Sequence, residues 1–318
     1  IQHNGDPKVL QIQEVPQPKP GPGEALIHLK AAGLNYIDIY YRAGILPTPL
    51  PYIPGLEGAG IVEAIGEGVV EVKVGDRVAY TGTPGSYAEY NVVKAKQLIP
   101  LPDDISFEQG AAFPLQGMTA HYLSHDFYHI NPGDYVLVHA AAGGVGLQVV
   151  QWLKRMGAHV IGTVSNNEKA LLAKEAGAEH TIIYTKQDFV AEVKKLTEDK
   201  GVHYIIDGVG KSTFTKNLDA VRTHGWICIF GMSSGPAEPF APNLLQPKSL
   251  TVCGGMLSNH TYPREVLLKR ANEVIDAIRE GWLQLRVDHV LPLEQAAKAH
   301  ELLESRQTAG KVILQMNG

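Results

Sequence analysis

Cysteine is almost absent: the 318 residues include only Cys228 and Cys253. Each stands inside an apolar segment, Trp226–Phe230 and Leu250–Gly255, so both are expected to be buried free thiols and not a disulfide. Apolar runs of membrane-spanning length are missing too, and no secretory signal is expected. The net charge of −5 lacks the basic footprint that nucleic acid or an anionic membrane would require of its main partner. The 13 His are expected to be scattered, without the HxxxH spacing of a metal site. No Ser/His/Asp or Cys/His arrangement is visible, which leaves a hydrolase unsupported. Hydrophobic residues at 44% and charged residues at 19% fit a globular chain, long enough for two domains. A cytoplasmic location is expected, and, with Ile1 first in place of Met, a few residues upstream are expected.

What is present is concentrated in one stretch, Tyr135 to Ser165. Tyr135-Val136-Leu137-Val138 is a short β-branched run of the kind that forms a parallel strand buried on both faces. It leads into Ala140-x-x-Gly143-Gly144-Val145-Gly146, followed by a helical pattern with Val149, Val150, Leu153 and Met156 on one side. Gly157 closes that helix, and Val160–Val164 makes a second strand. Strand, glycine turn, helix and strand compose a βαβ dinucleotide-binding unit, in which backbone N–H groups at the helix start receive a pyrophosphate. An NAD site usually ends the second strand with Asp or Glu to hold the ribose. Here the chain reads Ser165-Asn166-Asn167-Glu168-Lys169, so no carboxylate repels a phosphate at the strand end. Ser165 and Lys169 can bond and neutralise one, which favours NADPH. Ser165 or Asn166 also suits a helix N-cap, and the two roles are compatible.

Residues 1–116 read differently. Pro16, Pro18, Pro20, Gly21, Pro22 and Gly23 crowd together, and short alternating segments follow at 24–30, 59–66, 74–80 and 85–93. This pattern predicts an irregular β-barrel. A short helix at 106–110 and a longer one at 114–126 lead onward. From 117 to 257 the βα alternation predicts a six-stranded doubly wound sheet, with later strands at 181–184, 203–207, 226–230 and 250–253. The sixth strand is a candidate pairing edge. Residues 258–318 carry helices at 263–280 and 293–305 and a last strand, 311–314, expected to return to the first domain.

The order of barrel, Rossmann insert and return resembles the medium-chain dehydrogenase/reductase superfamily. Gly33–Asp38, Pro54–Gly60, His139–Gly146 and Phe230–Gly235 resemble the characteristic segments of its zinc-free, zeta-crystallin-like quinone oxidoreductases along the whole chain. The zinc alcohol dehydrogenases place a His before the Glu of the segment that here reads Gly55-Leu56-Glu57. Leu56 cannot ligate metal, so no metal is expected, and Glu57 is then a structural or turn carboxylate. The resemblance implies a GroES-like catalytic barrel, NADPH as cofactor, a quinone as substrate and a homodimer. It implies that Asn35, Tyr40 and Thr119 lie near the nicotinamide or substrate, and that Phe230, Gly231 and Ser233 run along the cofactor cleft. Lys169 and Tyr184 would hold the adenosine phosphate end, and Arg306 would approach the pyrophosphate or nicotinamide side. Tyr40 also suits ordinary packing, Asn35 a turn, Tyr184 strand-end packing and Arg306 a surface helix. Reduction of enones or enoyl thioesters is the neighbouring reading; an RNA-binding or crystallin role is a third, against which the acidic balance stands.

Overall fold

The computed structural model describes residues 1–306 and 308–316. In chain order the elements are β1 (Glu24–Leu34), α1 (Tyr36–Arg42), β2 (Glu57–Ile65), β3 (Arg77–Thr81), β4 (Tyr90–Lys94), β5 (Ile99–Pro100), α2 (Phe107–Gly110) and α3 (Pro114–His125). Then follow β6 (Tyr135–Val138), α4 (Gly144–Arg155), β7 (His159–Val164), α5 (Asn167–Ala176), β8 (His180–Ile183), α6 (Phe189–Leu196), β9 (Val202–Asp207), α7 (Phe214–Ala220), β10 (Val221–Ile229) and β11 (Thr251–Gly254). The chain closes with α8 (Arg264–Arg279), β12 (Val287–Pro292), α9 (Ala296–Glu304) and β13 (Lys311–Gln315).

Two compact units result. One contains Ile1–Met118, Thr261–Glu280 and the stretch from Leu285 onward; the other contains Thr119–His260 and Gly281–Gln284. In the first, a seven-stranded sheet runs β12-β13-β1-β2-β3-β5, with β4 also paired to β1. β1 is its hub, pairing antiparallel with β13, β2 and β4. Its side chains Ala25, Ile27, Leu29, Ala32 and Leu34 are all enclosed, packed in one core with Val78, Val93, Val312 and Leu314 from the strands around it. β12 was not expected: Val287-Asp288-His289-Val290 has no clean alternation, and it holds a place at the sheet's edge, parallel to β13 alone.

In the second unit six parallel strands take the order β11-β10-β9-β6-β7-β8, the doubly wound arrangement. Leu137, Ile161, Ile182, Ile205 and Ile227 from successive strands form its core with Phe189, Val193 and Phe214. On α4, Val149, Val150 and Leu153 are buried as their spacing requires; Met156 falls at the C-cap, half-buried. The N-cap of α5 is Asn166, whose Oδ1 accepts the N–H of Lys169 at 2.9 Å. β11 lies at the sheet's end, with β10 as its neighbour.

Candidate active site

The glycine turn leaves the C-terminal end of β6. Gly143 N–H donates to Ala140 O (2.8 Å), and the first bond of α4 runs from Leu147 N–H to Gly143 O (2.9 Å). The N–H groups of Gly144, Val145 and Gly146 precede that bond, at the positive end of the helix dipole, and are those an anion would use. Gly143, Gly144 and Val145 are half-exposed, whereas Gly146 is buried. A Cβ on Gly146 would stand 2.3 Å from Ala140 O and 2.9 Å from Ala141 backbone atoms. Gly146 is therefore required by packing of the turn against the helix. A Cβ on Gly143 would meet only Ala140 O, at 3.2 Å. Ala140 itself holds φ 52, a left-handed conformation in a non-glycine residue.

A buried network supports this turn. Asp207, at the end of β9, accepts from Val209 N–H (2.7 Å), Gly210 N–H (3.0 Å), Thr213 Oγ1 (2.7 Å) and Asn217 Nδ2 (2.7 Å). With its amide nitrogen on Asp207, Asn217 presents Oδ1 to His139 Nε2 at 2.8 Å, and His139 Nδ1 lies 2.9 Å from Thr163 Oγ1. His139 thus carries its proton on Nε2 and accepts from Thr163. Burial lowers its pKa, so the ring stays neutral in this chain of bonds. The sequence signal for the network was a carboxylate ending an apolar strand just before Gly208-Val209-Gly210.

The residues expected to hold the adenosine phosphate follow β7 and β8, with Lys169 in the first turn of α5. Tyr184 N–H donates to Val164 O (3.1 Å), and Thr185 Oγ1 to Ser165 O (2.9 Å), placing Tyr184 beside the residue pair Val164–Ser165. Ser165 and Lys169 are half-buried, and Tyr184 is 45% exposed. On the other side of the sheet's switch point, Ser233 N–H donates to Gly208 O (3.1 Å) and Lys211 N–H to Gly235 O (3.0 Å). Phe230 and Gly231 pack against Gly208, where a Cβ would stand 2.7 Å from the Phe230 ring. The loops after β6, β9 and β10 therefore meet at the C-terminal edge of the sheet, where doubly wound folds bind ligands.

In the first unit the hub is Asn35, 4% exposed. Its Nδ2 donates to Glu57 Oε2 (2.8 Å) and Gly33 O (3.2 Å), and its Oδ1 accepts from Lys311 Nζ (2.8 Å). Glu57 also pairs with the Lys311 ammonium and accepts from Leu115 N–H (2.6 Å). A Cβ on Gly33 would stand 2.0 Å from Ala111 O and 2.7 Å from both Glu57 Oε2 and Lys311 Cε, so only glycine lets these groups converge. Glu57 opens a strand and is held by protein donors; the turn alternative is excluded, and Lys311 is the partner that sequence reading missed. Asn35 precedes α1, and Tyr40 lies on it, half-buried; burial raises the Tyr40 pKa and keeps its phenol neutral.

Thr119, 5% exposed on α3, belongs to the second unit. Arg306 belongs to the first, exposed beyond the end of α9 with φ 57, so it is not a helix residue. The HxxxH spacing does occur, at His121 and His125 on α3, contrary to expectation. Their rings stack 4.0 Å apart, nearly parallel, against Trp152. Groups of three or more potential metal ligands are not found among the described residues.

Comparison with known proteins accords with this geometry. Residues 21–103 match the alcohol dehydrogenase GroES-like domain, and residues 144–273 the domain described as zinc-binding dehydrogenase. A quinone oxidoreductase of Pseudomonas aeruginosa is 42% identical across 98% of this chain and 96% of its own. A 2-haloacrylate reductase of Burkholderia sp is 39% identical across 99% and 97%. The crystal structure of Escherichia coli quinone oxidoreductase complexed with NADPH superposes with a TM-score of 0.96 at 40% identity, covering 99% of this chain and 98% of that one. By fold, by sequence and by length, the chain belongs to the quinone oxidoreductases of the medium-chain dehydrogenase/reductase superfamily.

Proposed function

We propose that the protein is an NADPH-dependent quinone reductase that works without zinc. The observation that carries this reading is the N–H turn at Gly143–Gly146, half-exposed at its first three residues, with Ser165 and Tyr184 at the neighbouring strand end and Lys169 in the first turn of the helix that follows. The residues fit NADPH: Gly144, Val145 and Gly146 offer donors to the pyrophosphate, and Ser165, Lys169 and Tyr184 receive the adenosine phosphate. Ala140 and Gly143 shape the turn, Phe230, Gly231 and Ser233 follow the nicotinamide half, and Arg306 adds a cation on the pyrophosphate or nicotinamide side. When bound, NADPH supplies the hydride. A quinone is already an electron sink, so the protein must mainly position it and keep water out. Tyr40, a neutral phenol on the first unit, is the candidate donor to substrate there, and Thr119 of the second unit is the candidate beside the nicotinamide or substrate. Asn35, its amide engaged with Glu57 and Lys311, orients the start of α1 that carries Tyr40.

Zinc independence is supported by what surrounds Glu57: its carboxylate is committed to Lys311, Asn35 and Leu115, with Leu56 beside it. The 39% identity to a 2-haloacrylate reductase favours a second reading, reduction of activated alkenes by the same cofactor. Among the described residues no helix is long and apolar enough to cross a membrane. A cytoplasmic homodimer, paired through the β11 edge and with no nucleic acid as main partner, completes the proposal. The test is a panel of quinones, enones and enoyl thioesters with NADPH and NADH, before and after chelation. Quinone turnover with NADPH that survives chelation is expected. Turnover confined to alkenes moves the assignment to the second reading, and activity lost with a bound metal overturns the first.

A further inference from the structure

The two cysteines face each other. β10 and β11 run parallel with Cys228 directly opposite Cys253. Facing residues on adjacent strands project from the same side of the sheet, and strands lie roughly 4.8 Å apart. That spacing falls within the Cα separation of about 4.4–6.8 Å that a disulfide can span. The Cys253 Sγ–H donates to Ile227 O at 3.7 Å, across the same pair of strands. The neighbouring Cys253 thiol, and then burial, push the Cys228 thiol up, whereas its Cys228 neighbour holds the Cys253 thiol below its ordinary value. Cys228 is fully enclosed, and Cys253 is half-buried on the strand at the end of the sheet. The more accessible Cys253 sulfur therefore lies beside an enclosed one, the arrangement of an attacking and a resolving cysteine.

We infer that Cys228 and Cys253 form a redox pair that a hydroperoxide closes into an intrachain disulfide. The Cys253 thiolate attacks the outer peroxide oxygen, the O–O bond breaks, and an alkoxide leaves to take up a proton as the alcohol. Cys253 becomes a sulfenic acid. The Cys228 sulfur then attacks the Cys253 sulfur; the S–S bond forms, and hydroxide leaves as water with the Cys228 proton. Two thiols lose two electrons, and the peroxide becomes alcohol and water.

The experiment treats the full chain with hydrogen peroxide, alkylates it under denaturing conditions and records the intact mass. Wild type is expected to lose both alkylatable thiols and the mass of two hydrogens, to yield one cross-linked peptide pair spanning residues 228 and 253, and to recover with dithiothreitol. Cys228→Ala should instead accumulate a Cys253 sulfenic acid trapped by dimedone, and Cys253→Ser should leave Cys228 alkylatable. The wild-type measurement needs no variant to fold. Persistence of both thiols in wild type overturns the inference, as does a disulfide-linked dimer or accumulation of over-oxidised Cys253 without the cross-link.

Discussion

Lys311, which opens the last strand, places its ammonium against Glu57, which opens the second, and both are enclosed: 2% and 0% exposed. Asn35 completes the triangle. The arrangement fixes the residues around the start of α1, which the proposed catalysis uses.

A buried ion pair adds little net stability but is costly to break, because the surviving charge has no water. Lys311→Met should destabilise the first unit by about 3–5 kcal/mol. Lys311→Met combined with Glu57→Gln should recover much of that loss, since no charge is then stranded. Chemical denaturation of the single and double variants provides the comparison; additive losses would show that the two groups do not depend on each other.

The cofactor preference rests on Lys169. Removing one charged hydrogen bond is worth about 1–3 kcal/mol, so Lys169→Ala should weaken NADPH binding by roughly 5- to 150-fold. NADH affinity should stay near its wild-type value. Fluorescence titration of both cofactors checks this, and an equal loss for the two would place the 2′-phosphate elsewhere.

Much of the second unit was legible because its signals are local. The apolar run 135–138, the turn 140–146 and the helix that follows occupy neighbouring positions, and a parallel strand buried on both faces tolerates little but β-branched residues. The first unit's site was not legible in this way. Glu57 and Lys311 are separated by 254 positions, and Asn35 and Lys311 by 276, so nothing in the sequence near Glu57 names its partner. A lysine at the head of Lys311-Val312-Ile313-Leu314 reads as a solvated strand end until the strand is seen beside β1. β12 was missed for a related reason: at an edge, with β13 as its partner, it needs no strict alternation.

Acidity should act on the first unit through Asp38. Burial raises its carboxyl to about 7, chiefly by desolvation, against the lowering effect of the Asn35 N–H. A carboxyl whose folded pKa lies above its unfolded value of 3.8 stabilises the fold in its protonated form. That contribution is complete below about pH 4 and is lost as pH rises toward about 7, with a ceiling of about 4 kcal/mol. His300, linked to Asp38 through the Tyr87 hydroxyl, has the opposite sense. Burial and then the Arg42 charge lower it to about 3, so it costs stability as pH falls from 6.5 toward that value. Asp38→Asn has no proton to lose. Its melting temperature relative to wild type should be higher at about pH 8 than at about pH 5, with the acid limb from His300 retained. A difference independent of pH would place the Asp38 proton elsewhere.

The two glycines of the phosphate turn should separate under substitution. A Cβ on Gly146 meets Ala140 O at 2.3 Å, and backbone cannot give way as a side-chain tip can. Gly146→Ala should therefore cost about 1–3 kcal/mol of stability in protein without cofactor, as overpacking does. Weak NADPH binding would accompany it as a consequence of the displaced turn. Gly143 is different: its φ of −78 is open to any residue, and its Cβ would meet only Ala140 O, at 3.2 Å. Gly143→Ala should melt within a few degrees of wild type, yet bind NADPH at least about tenfold more weakly, because the methyl group occupies the approach to the N–H groups. Thermal melts without cofactor and titrations with it, made on both variants, distinguish a glycine needed by the fold from one needed by the ligand. A Gly143→Ala protein with unchanged melting and unchanged NADPH affinity would show that the dinucleotide does not use this turn, and the proposed function would lose its main support.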